Sequence, residues 1–287
     1  MALRIPTLRQ RRLGAELRRM REQAGFSGSH VARELGVTSA LVTQMENGKS
    51  AVSVERLRTI AALCMCVNEP LVDALAEIIT ERGGGGWWEE YRGRLSQDFL
   101  EVAEIEGHAR GLSAYTMAFI HGLLQTNAYV SAIFARSYPP LPGHEVDLRA
   151  EFRLRRQHIV RSEGTPFTAY IHEAALRMQF SGAKVQADQL GALIDASEQP
   201  NIAIRVVPFD VDAVPLNTEN FTYFDGSIQE LDTVQADSGV GNLLFDAPAH
   251  TARFRSLLGR IGSAALSEEE SRDFIRSIKK DMERKYA

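Results

Sequence analysis

Apolar positions along the chain follow two regimes. Through the first eighty residues they recur at helical spacing in short blocks. Leu13, Leu17 and Met20 stand at i, i+4 and i+7, and Val54, Leu57, Ile60, Ala61 and Cys64 repeat the pattern. Between them Val31, Leu35, Val37, Val42 and Met45 line the inner faces of two further short helices, with tight turns at Gly25, Gly36 and Gly48. After the four glycines 83–86, Trp87 and Trp88 open a pattern that predicts one long helix to about Arg110. Residues 145–162 predict a basic helix carrying Arg149, Arg153, Arg155, Arg156 and Arg161. Strand signals come only in the second half, at 167–171, 202–207 and 221–224, with helical patterns at 173–180, 184–198 and 250–262. The last helix starts at Ser267, has Glu270 at capping-box spacing, and carries Phe274, Ile275, Ile278 and Met282 as one stripe.

These patterns predict a mainly α chain with a smaller α+β part. A helical N-terminal domain, 1–82, is joined by the glycines 83–86, which lack conformational preference, to a larger α+β domain, 87–287. Within the first domain, residues 28–47 form a distinct unit. Ala32 sits where two helices cross closely, and Gly36 is placed to end the first of them with positive φ. Two short helices around a glycine turn, with a shared apolar seam, make a helix-turn-helix.

On these residues, and on the tract 44–50 (Gln-Met-Glu-Asn-Gly-Lys-Ser), positions 13–64 resemble the DNA-binding domain of the phage-repressor, or xenobiotic-response-element, family. The resemblance implies roles residue by residue. Thr38 caps the second helix, and Ser39 and Ala40 face base edges. Thr43 and Gln44, one turn on, reach further bases or the flanking phosphate. Gln can bond adenine through both amide atoms, and Ala can meet a thymine methyl. Asn47, Lys49 and the backbone amides of Gly28 and Ser29 hold phosphate. The family often has Gln where this chain has Gly28, which leaves a backbone contact there. Arg21 and Glu46 match a pair that the family often keeps, implying a bridge that aims Arg21 at phosphate and braces the recognition helix.

From about Trp87 to Phe274 the chain resembles the C-terminal domain of actinobacterial antitoxin-like transcriptional regulators. The resemblance rests on 122–126 (Gly-Leu-Leu-Gln-Thr) with Tyr129, Arg153 with Arg156 and Gln157, 173–177 (Glu-Ala-Ala-Leu-Arg), Gln189–Leu190, Pro200–Asn201, 206–209 (Val-Val-Pro-Phe) and Leu266–Ser267. His121 stands where that family usually has Pro, and His172 where it usually has Asp.

Charge sharpens this division. Residues 1–60 hold 11 Lys and Arg against 5 Asp and Glu, a net of +6, while the remainder hold 22 against 32, a net of −10. A basic head on an acidic body suits a head that meets a polyanion. Catalytic patterns are missing. His172 and Glu173 begin a zinc-protease-like run, but Leu176 occupies the second histidine position, and there is no nucleophile elbow or P-loop. No metal site or cofactor is expected, and no enzymatic activity. Two cysteines, Cys64 and Cys66, suit a reducing compartment, no apolar run approaches the roughly 20 residues of a membrane span, and the start lacks a secretory signal, so a cytoplasmic protein is expected.

The expected function is sequence-specific binding of a double-stranded DNA operator by a transcriptional regulator, a repressor, acting as a homodimer. The C-terminal domain dimerises and receives a partner or ligand signal. The alternatives are an antitoxin-like protein that sequesters a small protein encoded nearby, and a small-molecule-sensing regulator. The stripes at Trp87 and Trp88 and at 274–282 are the candidate dimer surfaces.

Overall fold

The computed structural model describes residues 6–81, 85–211, 215, 218–238 and 241–286; Gly83 and Gly84 of the expected linker lie outside them. The chain divides into two compact units, Met1–His108 with Ser227–Glu230, and Ala109–Gly226 with Leu231–Ala287. Residues 87–108, read above as the opening of the second domain, therefore fall in the first unit.

The first unit begins with five helices: α1 (Leu8–Gln23), α2 (Gly28–Glu34), α3 (Ser39–Glu46), α4 (Val54–Leu63) and α5 (Glu69–Thr80). Each starts at a side chain that accepts a hydrogen bond from an orphan first-turn amide: Thr7, Ser27, Thr38, Ser53 and Asn68. Such caps matter because helices of 7 to 16 residues are marginal alone. Burial does the rest. Leu13, Leu17, Met20, Val31, Val42, Met45, Leu57 and Ile60 share one core, each contributing about 1.5–3 kcal/mol when fully buried.

The long helix expected from Trp87 is not continuous. A 3-10 turn covers Trp87–Tyr91, the chain extends at Arg92, Gly93 takes φ +78°, and α6 runs only over Gln97–His108. The left-handed glycine, which the helical reading of this segment overlooked, is what breaks it. Trp88 is buried, its ring edge-on to His108 with centroids 5.9 Å apart, so this half of the aromatic pair is consumed inside the unit.

The second unit is built on one six-stranded sheet of order β3-β2-β1-β4-β5-β6. Its strands are β1 (Gly111–Thr116), β2 (Phe167–His172), β3 (Ile202–Val207), β4 (Phe221–Asp225), β5 (Thr233–Ser238) and β6 (Gly241–Phe245). The helices α7 (Asn127–Phe134), α8 (Gly143–Arg156) and α9 (His158–Arg161) lie between β1 and β2, and α10 (Glu173–Arg177) and α11 (Ala183–Ala196) between β2 and β3. Those crossovers make β1, β2 and β3 parallel, while β4, β5 and β6 join β1 in antiparallel pairs. Two helices close the chain, α12 (Pro248–Ala264) and α13 (Glu268–Tyr286).

The expected basic helix ends at Arg156. Gln157 then turns its buried amide onto the carbonyls of Gly122 and Gln125, and α9 follows as a separate turn. The capping box forms as the spacing predicts, with Ser267 N donating to Glu270 Oε2 at 2.9 Å and Glu270 N to Ser267 Oγ at 3.3 Å. Ile275, Ile278 and Met282 are buried where α13 packs on α11 and β3. That stripe, expected as a dimer surface, is covered within a single subunit. Among the described residues no helix is long and apolar enough to cross a membrane.

Candidate nucleic-acid interface

Helices α2 and α3 form the crossed pair predicted at 28–47, with Val31 and Ala32 of the first and Val42 and Met45 of the second buried. Leu35 and Val37 are half-buried at the rim of that seam. The chain turns between the helices at Gly36, with φ +64°, a conformation that costs any residue with a Cβ about 1–2 kcal/mol. Thr38 accepts a hydrogen bond from Leu41 N at 3.2 Å and fixes the start of α3.

With Val42 and Met45 turned inward, helical geometry places Ser39, Ala40, Thr43, Gln44 and Asn47 on the opposite face, and all five are exposed. No acidic side chain interrupts that stripe. Thr43 Oγ1 donates back to Ser39 O at 3.1 Å, and Asn47 Nδ2 donates to Thr43 O at 2.8 Å, which leaves the Asn47 side-chain oxygen outward. Gln44 makes no such local bond, and its carbonyl is the anchor of the following loop, accepting from Lys49 N at 2.8 Å and Ser50 N at 3.2 Å. Lys49 is exposed on that loop. Ser39 Oγ lies 3.4 Å from Ser29 Oγ, so the N-terminal ends of α2 and α3 come together. Gly28 and Ser29 are the first two residues of α2, where backbone amides have no intrahelical acceptor. The expected contacts on α2, α3 and the loop thus share one surface.

Arg21 is placed differently. Its Nε donates to Glu46 Oε1 at 2.5 Å and its Nη2 to Glu46 Oε2 at 3.0 Å, while Nη1 holds the carbonyl of Phe26 at 2.9 Å. Only 14% of its side chain is exposed. The expected bridge forms, and the hydrogen bond that Arg21 donates to Glu46 pushes its already high pKa higher. The fork faces the protein, where it ties α1 to the end of α3 and to the turn before α2.

One determinant of this surface escaped the sequence reading. A Cβ on Gly14 would stand 2.4 Å from the backbone oxygen of Glu46, so only glycine lets α1 lie this close to the end of α3. The available signal was a glycine inside an otherwise good helical pattern, which costs about 1 kcal/mol against alanine and so calls for a packing reason. On the other side of the same junction Gly48, φ +70°, approaches the carbonyl of Gln10.

The two histidines that depart from the family pattern lie in the second unit. His121 is buried, bonds Thr222 Oγ1 through Nε2 at 3.1 Å, and accepts from Leu123 N at Nδ1; burial drives its pKa down to about 3, so the ring is neutral. His172 caps α10 through Ala174 N and packs edge-on against Phe209. Among the described residues no three His, Cys, Asp or Glu side chains converge as metal ligands would.

Comparison with known protein families matches residues 12–75 to a helix-turn-helix domain and residues 99–277 to a domain of unknown function, DUF5753. No curated protein and no solved structure matches the chain.

Proposed function

The chain belongs to the DUF5753 family and carries a helix-turn-helix domain ahead of that region, and from this premise we propose that it is a DNA-binding transcriptional regulator that represses by occupying its operator. One observation carries the reading: the uninterrupted exposed stripe of Ser39, Ala40, Thr43, Gln44 and Asn47 on α3, beside the free amides that begin α2. Helix α3 lies in the major groove, Gln44 and Ala40 read bases, and Gly28, Ser29, Asn47 and Lys49 hold the flanking phosphates. Arg21 acts on DNA through the helix that it braces.

A single eight-residue recognition helix with few basic contacts binds weakly, so two copies act on half-sites about 34–36 Å apart. The C-terminal unit receives the signal that releases them. A second reading, capture of a small partner protein, draws support from the resemblance to antitoxin-like regulators and from Phe209, 59% exposed beside His172.

The test is selection of bound sequences from a random duplex pool by the full-length chain, followed by titration over a range of salt. A regulator enriches a two-fold-related motif and loses affinity for random DNA steeply as salt rises. Recovery of unselected sequence, with the same affinity for every duplex, would overturn the proposal.

A further inference from the structure

The two edges of the sheet are finished differently. Strand β3, at one edge, is covered. Val206 N donates to Ser271 Oγ at 2.8 Å, Val206 O accepts from Leu266 N at 2.9 Å, and Arg205 holds the carbonyls of Ala265 and Leu266. The connection from α12 to α13 thus occupies the outer side of β3. Strand β6, at the other edge, has no such cover among the described residues.

The ladder fixes which backbone groups β6 leaves over. Asp237 N donates to Asn220 O, so Gln235 and Asp237 turn their backbone groups toward β4. Val234, Ala236 and Ser238 turn theirs toward β6, onto Phe245, Leu243 and Gly241. Asn242 and Leu244 therefore point N–H and C=O groups outward, and among the described residues no backbone group bonds to them there.

Such an edge invites a further strand, and proteins normally blunt it with charge, proline or a bulge. Strand β6, Gly-Asn-Leu-Leu-Phe, holds no charge and no proline and pairs with β5 without interruption. Its central side chain, Leu243, is 43% exposed, although it lies on the face that carries Ala236 and Phe245 of the apolar core.

We propose that β6 is a dimer surface on which two copies of this chain join edge to edge, antiparallel about a two-fold axis through Leu243. In that register Asn242 faces Leu244 of the second copy and Leu244 faces Asn242, each pair exchanging two backbone hydrogen bonds. An axis through Asn242 or Leu244 would form only one such pair within the strand. Leu243 meets Leu243 of the second copy as a non-hydrogen-bonded pair, Cα atoms about 4.5 Å apart, where side chains are closest. On the same face Phe245 lies opposite Gly241, which leaves room for the ring. The first charge beyond the strand, Asp246, is kept away from its own copy. A strand of five residues falls short of the roughly 20–30 residues a side of a stable interface. The pairing is therefore weak in solution and is completed on DNA, where two half-sites hold both copies at high effective concentration. The surface rests on the reading of paired copies on one operator, but its readouts are taken without DNA, so its failure would leave DNA binding itself standing.

The experiment is sedimentation of the full-length chain without DNA from about 1 to 200 µM, a range that captures weak association. The wild type should move from monomer toward dimer across it. Leu243→Lys sets two like charges face to face and should weaken association at least tenfold, while its exposed position leaves the urea midpoint unchanged. Leu243→Cys, oxidised with glutathione disulfide, should give a dimer whose disulfide maps to position 243 of both copies, since Cα atoms at that spacing can be bridged. A wild type that stays monomeric throughout would overturn the surface. So would association that Leu243→Lys leaves intact, or Leu243→Cys chains that do not join at position 243.

Discussion

Arg21 of α1 and Glu46 at the end of α3 meet fork to fork, and the same guanidinium also holds the Phe26 carbonyl in the turn before α2. One side chain therefore fixes three segments of the helix-turn-helix. Both partners are largely buried, 14% and 13% exposed, so solvent screens the pair little. Arg21→Ala and Glu46→Ala should each cost about 1.5–3 kcal/mol of stability, the range for hydrogen bonds to charged groups. A double-mutant cycle should return a coupling of at least about 0.5 kcal/mol. Purely additive losses would mean that the two ends of the bridge do not communicate.

Gln44 projects from the exposed face of α3. Gln44→Ala should cost about 1–3 kcal/mol on the selected operator and little on random duplex, as expected for the loss of one base contact. Lys49→Gln should weaken both alike and reduce the salt slope by about one. Competition binding at two salt concentrations separates these outcomes. Equal losses on both duplexes for Gln44→Ala would assign that side chain to the backbone.

Two glycines of the first unit should respond in opposite ways to the same substitution. At Gly14 a new Cβ would meet backbone oxygen at 2.4 Å, and the backbone cannot give way cheaply. Gly14→Ala gains about 1 kcal/mol of helix propensity, but overpacking costs about 1–3 kcal/mol, and the clash should win. At Gly28 a Cβ meets nothing within 4 Å, and Gly28→Ala should be neutral or stabilising. Urea unfolding of both variants compares the two directly.

Buried His121 makes the second unit sensitive to mild acid. Its folded pKa of about 3 lies below the 6.5 of the unfolded chain, so the unfolded state takes up the proton first. The stability it contributes is complete above pH 6.5 and falls as the pH drops from there toward 3, by about 1.4 kcal/mol per unit. His172, also lowered by burial, acts in the same direction. His121→Asn should flatten urea midpoints between pH 7 and 5. An unchanged slope in that variant would mean that His121 does not control the acid response.

The head was legible because its signals are local. The cap at Thr38, the glycine at 36 and apolar spacing within single helices specify α2, α3 and α4 without reference to distant residues. Strands β2, β3 and β4 were readable for the same reason, as short β-branched or aromatic runs. Strand β1 was not. It is buried on both faces, so it lacks the alternation that marks a strand, and it follows directly on the helical pattern of α6. Strands β5 and β6 escaped because β5 buries only Val234 and Ala236 and β6 buries no residue, too few apolar positions to mark either by alternation. The dimer surface assigned to 274–282 failed because a stripe shows that a helix face is covered, and the covering element here is α11 of the same chain.

Strand β1 pairs with β2 on one side and β4 on the other, and so joins halves of unlike character. Strands β4 to β6 are consecutive and close through short connections, so their contacts are local in sequence and form early at little entropic cost. The parallel half must first close crossovers of dozens of residues, which is slow. Folding of this unit should therefore run through a preformed antiparallel meander that waits for β1. Substitutions at the β5–β6 pair should slow the folding limb of a chevron plot, while those at the later-forming β2–β3 pair should act mainly on unfolding.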